Sequence, residues 1–207
     1  MLVRAILLFF LFSVPAVSVL AADIDSGEWR SVDDASNVSY VVGFTLGDVV
    51  GRSGQIRVAG RVNGGWVDIS AAAPVASFDS GDSRRDRDMR DTVDADAYPV
   101  VRFSGEGQLC VFENDRCTME VAGVLDFAGV ERHYESIPVV VNRIDDDLVR
   151  ANLSFEFLLS DHDVDRPRLL FWRIDDEVMI SGTVTMSAVD PASSPHQNEQ
   201  DGAAPRR

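Results

Sequence analysis

Alternation of apolar and polar side chains runs through most of this chain. Between Ser36 and Leu46, the residues Val38, Tyr40, Val42, Phe44 and Leu46 fall on one face, and Asn37, Ser39, Gly43 and Thr45 on the other. That period of two is what a half-buried strand requires. Gly47-Asp48 and the stretch Gly51 to Gly54 carry turn chemistry, after which Ile56, Val58 and Val62 resume the alternation around Gly60. Asn63-Gly64-Gly65 is a strong hairpin signal, and Trp66 to Ala73 reads as the returning strand. Later segments repeat the pattern: Val101 to Leu109, then Met119, Val121, Gly123, Leu125 and Phe127 on one face, then a turn at Ala128-Gly129. Val130 to Asn142 and Leu148 to Leu159 follow, separated by Asp145-Asp146-Asp147, and in the second of these Val149, Ala151, Leu153, Phe155, Phe157 and Leu159 share a side. Asp161 to Arg173 reads as an irregular excursion before a final strand containing Val178, Ile180, Gly182, Val184 and Met186.

One segment has a different period. Met89, Val93 and Ala97 recur every fourth residue in an Arg/Asp-rich run, which predicts a short helix near residues 83–97 with one thin apolar stripe. Tyr98-Pro99 ends it, since a residue before proline is pushed out of the α region. A lone polar helix in an otherwise all-β chain is expected to act as a plug, lid or strut on a barrel or a sandwich, and alternation alone does not separate these two architectures.

Segment boundaries come from the two ends. Arg4, the apolar run Ala5 to Phe12, Pro15 and a small-residue site at Ala21-Ala22 have the order of a secretory leader, so residues 1–21 are expected to be a signal peptide. Residues 22–190 then form one domain, and the low-complexity run 191–207 is expected to be a disordered tail. No later stretch is long and apolar enough for a transmembrane span, so the expected location is periplasmic or secreted. Cys110 and Cys117, the only cysteines, flank the turn-like Glu113-Asn114-Asp115-Arg116 and are expected to close a disulfide across a hairpin in an oxidising compartment.

Charge narrows the partners. The formal net charge is −15, and loss of Arg4 with the leader leaves 18 arginines against 34 acidic residues, or −16. Such acidity argues against nucleic-acid binding, which relies on basic patches that release counterions. It also argues against broad docking on anionic lipid.

Catalytic and metal grammar is sparse. Ser53 lacks the spacing of a nucleophile elbow, and His133, His162 and His196 are expected as polar surface or loop residues. Asp161-His162-Asp163-Val164-Asp165 opens like a calcium loop, but Arg166 stands where the loop needs glycine and Trp172 where it needs glutamate. No catalytic residues, metal ligands or cofactor are therefore assigned. Arg84 to Asp91 is expected to be an exposed helix of interleaved charges. The sharper alternative turns Arg85 or Asp86 inward, to brace the helix on the mouth or meet a ligand headgroup.

Several of these pieces resemble the YceI-like family. Arg85-Asp86, Met89, Tyr98-Pro99 and Phe103 match its Arg-Asp, Leu/Met and Pro-x-x-x-Phe pattern. Ala122-Gly123-Val124-Leu125 with Gly129-Val130, and Phe157-Leu158-Leu159-Ser160-Asp161, resemble two further family stretches. Gly47 stands near the place where the family usually carries a histidine. The resemblance implies an all-β, lipocalin-like antiparallel barrel that binds a polyisoprenoid or another amphipathic lipid and is not an enzyme. Its ligand-binding residues would be Phe44, Leu46, Met89, Phe103, Leu125, Phe127, Phe155 and Phe157, with Arg85 and Asp86 at the mouth. A homodimer is left open as a partner. The rival reading is an enzymatic or accessory periplasmic stress or redox protein working through the Arg/Asp helix surface.

Overall fold

The computed structural model describes residues 24, 26–45, 47–166 and 174–190. Leu46, Pro167 to Arg173, the expected signal peptide and the expected tail lie outside the described residues.

Ten strands are arranged around a single ring. β1 (Gly27–Ser31), β2 (Asn37–Phe44), β3 (Val49–Ser53), β4 (Arg57–Asn63) and β5 (Trp66–Pro74) precede one helix, α1 (Ser83–Thr92). β6 (Val100–Gln108), β7 (Arg116–Phe127), β8 (Val130–Asp145), β9 (Leu148–Leu158) and β10 (Ile174–Ala188) follow it. All pairings between these strands are antiparallel, in the order β1-β4-β5-β6-β7-β8-β9-β10, and β1 pairs back onto β10. The architecture is thus a closed eight-stranded antiparallel barrel, and the choice left open between barrel and sandwich is resolved.

The first wall of the barrel is split. β1 meets β10 from Trp29↔Ala188 to Ser31↔Met186, and β2 takes the remainder of the same edge from Asn37↔Thr183 to Phe44↔Ile174. Between them the chain bulges, and β10 holds the bulge in place: Val32 N donates to Thr185 O, Thr185 N to Ser36 Oγ at 3.2 Å, and Thr185 Oγ1 to Ala35 O at 3.0 Å. These bonds satisfy backbone groups that a break in the strand ladder otherwise leaves unpaired.

Three expectations need correction. Gly51 to Gly54, read as turn, instead begins within a strand: Val49–Ser53 pairs with β2 as Tyr40↔Gly51 and Val41↔Val50. Glycine serves there because a Cβ at position 51 would lie 2.2 Å from the Tyr40 ring. Secondly, the helix stops at Thr92 instead of continuing to Ala97. Asp94 adopts the left-handed region (φ 49°), and Ala95 N returns to Arg90 O, a helix-terminating pattern that overrides the four-residue stripe. Thirdly, His162 is no surface histidine: it is fully buried (0 % exposed) in a 3-10 turn at Leu159–His162.

Candidate functional site

Alternation around a closed ring sends one side chain in two to the interior, and here those side chains leave space. A cavity of about 1110 Å³ runs within the barrel, lined from every strand by apolar groups, β3 contributing through Val49. Phe103, Leu125, Phe127, Phe155 and Phe157, expected from sequence, line it from β6, β7 and β9, and Phe44 and Met89 line it from β2 and α1. The interior falls into two clusters. One contains Trp29, Val62, Val67, Met119, Val121, Val139, Val141, Val149, Val184 and Met186; the other contains Leu125, Phe157, Val178, Val75 and Val93.

The far end, at the first cluster, is covered by the β6–β7 connection. Cys110 and Cys117 form a disulfide there, as expected, and Leu109, Cys110 and Phe112 pack against the cluster. The Arg143 guanidinium lies 4.2 Å from the centre of the Phe112 ring, placing a cation over its electron-rich face.

At the near end stands α1. Asp82 caps it, accepting from Arg84 N at 2.9 Å and Arg85 N at 3.3 Å, and these backbone bonds hold the Asp82 carboxyl below its usual value. Most polar residues that line the cavity belong to α1 or its cap, Asp82, Arg84, Arg85, Asp88, Asp91 and Thr92, and Asp48 and Arg102 join them from β2–β3 and β6. Asp86 corrects the exposed-helix expectation. It is 9 % exposed, and its Oδ1 accepts from both Ser80 N (2.9 Å) and Ser80 Oγ (2.6 Å). Arg85 stays on the surface, where its Nη2 donates to Ser80 O at 3.1 Å. The pair ties the first turn of α1 to the preceding loop, and that loop is tied to β3 by reciprocal backbone bonds between Arg52 and Asp79. None of the ion pairs among the described residues involves the helix, so its interleaved charges do not pair as the sequence spacing implied.

Tyr40 projects inward next to this brace, its ring 5.6 Å from that of Phe78. Burial raises its phenol above the usual value, the Asp86 carboxylate adds to that rise, and Arg85 opposes it. Behind the aromatic wall, His162 meets Phe127 and Phe157 edge-on at 5.5 and 5.4 Å. It was missed in the sequence because its acidic neighbours Asp161 and Asp163 read as loop; the one available signal was the apolar Phe157-Leu158-Leu159 run just before it. Among the described residues no group of His, Cys, Asp or Glu is arranged to hold a metal ion. No helix among them is long and apolar enough to cross a membrane. What the site can do chemically is take an apolar body into the barrel and meet a polar end at the rim.

A solved polyisoprenoid binding domain from Saccharophagus degradans, implicated in plant cell wall breakdown, is similar with a TM-score of 0.63 at 14 % identity, covering 78 % of this chain and 98 % of that one. Burkholderia cenocepacia BcnA is similar with a TM-score of 0.62 at 20 % identity, covering 75 % and 98 %. Identities this low speak for a shared fold. A comparison with curated proteins gives no match. The family model of the YceI-like domain matches residues 29–186, from the core tryptophan of β1 almost to the end of β10. With that match reaching every strand of the closed ring, the chain belongs to the YceI-like family.

Proposed function

We propose that this protein is an exported carrier that holds an amphipathic lipid with a long apolar chain, of the polyisoprenoid class, inside its barrel. The observation that carries the reading is the cavity of about 1110 Å³, lined for the greater part by apolar side chains. Burying about 400 Å² of an apolar chain contributes roughly 10 kcal/mol gross. Association and chain ordering remove much of it, so micromolar to nanomolar binding is the expected range. The fold neighbour described as a polyisoprenoid binding domain supports the ligand class by analogy. Export is supported by the disulfide, which persists in oxidising compartments, and by the leader-like residues 1–21.

The rival reading, catalysis or partner capture through the Arg/Asp helix, has no specific observation behind it. Asp86 and Arg85 direct their polar atoms to Ser80. The test is native mass spectrometry and solvent extraction of protein purified from its own compartment. A single apolar-chain compound recovered at near one per barrel is the expected result. Protein that repeatedly comes out empty and takes up no apolar dye overturns the proposal.

A further inference from the structure

Phe103 and Ile180 are half-buried side chains that pack against both interior clusters. They come from β6 and β10, which stand diametrically opposite in the eight-stranded ring. Both line the cavity. An inward side chain on a closed wall owes its remaining exposure to the bore, so these two mark a waist between the near and far halves.

What keeps the waist open is the wall beneath Phe103. Gly105 and Gly123 are direct cross-strand partners, two residues after Phe103 in β6 and two before Leu125 in β7 of the Phe103↔Leu125 pair. A Cβ at Gly105 would lie 2.9 Å from the Phe103 ring, and one at Gly123 would lie 2.6 Å from it. Two inward positions without side chains thus form a pad, and the ring lies along that pad instead of across the bore. Lifted from it, the ring would stand between the two clusters and divide the cavity.

We propose that Phe103, parked on the Gly105–Gly123 pad and facing Ile180, is the residue that sets how long an apolar chain the barrel admits. The inference rests on the reading that the cavity holds an apolar chain, and it assigns the selection of chain length to the waist instead of to the rim. Near the helix, a chain meets the aromatic wall whatever its length; only a chain that passes Phe103 reaches the valine- and methionine-rich half. Selectivity of this kind is a difference in affinity between chains that stop short of the waist and chains that cross it.

The test displaces the dye N-phenyl-1-naphthylamine with straight-chain primary alcohols of increasing length, using wild type, Ile180→Trp and Phe103→Leu. In wild type each added methylene should tighten binding by roughly fourfold until a plateau is reached. Ile180→Trp should bring the plateau several methylenes earlier, with the shortest binding alcohols held within about twofold because they stop before the waist. Phe103→Leu, which removes volume and does not crowd the wall, should move the plateau to longer chains; it carries the test alone if the tryptophan variant does not fold. A plateau at the same length in Phe103→Leu as in wild type, or one common factor of weakening at every length, overturns the role of the waist and leaves carriage standing. Failure of wild type to take up the dye and every alcohol overturns carriage and, with it, this inference.

Discussion

The Tyr134 hydroxyl lies 3.3 Å from Nε2 of His162, while Nδ1 of the same ring lies 2.9 Å from the Val130 carbonyl oxygen. A carbonyl only accepts, so Nδ1 carries the proton, Nε2 is the acceptor and the tyrosine donates to it. This neutral ring fastens the turn after β9 to β8 and supports Phe127 and Phe157, two walls of the cavity.

Burial holds His162 below the ordinary value of 6.5, and the Arg132 charge acts in the same direction; bonds to the Val130 and Phe127 carbonyls and the Asp161 carboxylate act against them. The unfolded chain therefore binds this proton more readily than the native one. The stabilisation is fully present above about pH 6.5 and is lost as pH falls through the lowered native value. Urea midpoints measured between about pH 7.5 and 5 should fall more steeply for wild type than for His162→Gln. Equal slopes would assign the dependence to other groups.

Asp86 should matter to stability more than its charged neighbours on the helix. Asp86→Ala leaves Ser80 N and Oγ without their acceptor, and a loss of about 1–3 kcal/mol is expected. Asp88→Ala, at an exposed position, should change stability by less than about 0.5 kcal/mol. Urea unfolding of both variants checks the contrast, and equal effects would deny the brace.

Reducing the disulfide should destabilise the barrel by about 2.5 kcal/mol, the loop-entropy value for so short a closure. Cys117 is buried within the far cluster, so a Cys110→Ser/Cys117→Ser double variant should lose at least as much. Thermal unfolding with and without reductant measures the difference; a wild type indifferent to reductant contradicts it.

Gly51→Ala should be costly for a reason that its neighbour can relieve. The new methyl meets the Tyr40 ring, and overpacking of this kind costs about 1–3 kcal/mol. In a Tyr40→Ala background most of that penalty should vanish, giving a coupling energy of about 1 kcal/mol or more between the two positions. Strictly additive effects would show that the contact is not the cause.

Much of the strand pattern was readable because the barrel is amphipathic along its own chain. Asn63-Gly64-Gly65 and Ala128-Gly129 join the strands they were expected to join, and the inward set from Phe44 to Phe157 was given by alternation and by the family resemblance. Closure was not readable, because Trp29↔Ala188 is a pairing across almost the whole chain and leaves no local mark. β3 was hidden by the glycine that fits it beneath Tyr40. The burial of Asp86 and His162 goes with specific hydrogen-bond partners, Ser80 for one and Val130 with Tyr134 for the other, and only the folded chain brings these together. For Asp86 a short acidic-basic run gave the wrong prior; for His162 it was an acidic loop.

The junction of β1 with β10 has a consequence for biogenesis. β1 waits for β10, the last of the described strands to be made, so until Ala188 has emerged the nascent sheet exposes two unsatisfied margins. Completion demands a long loop closure, which makes the final step slow and leaves the half-made cylinder open to intermolecular pairing. Truncation of even the last few residues of β10 should therefore produce inclusion bodies in place of a slightly weakened protein.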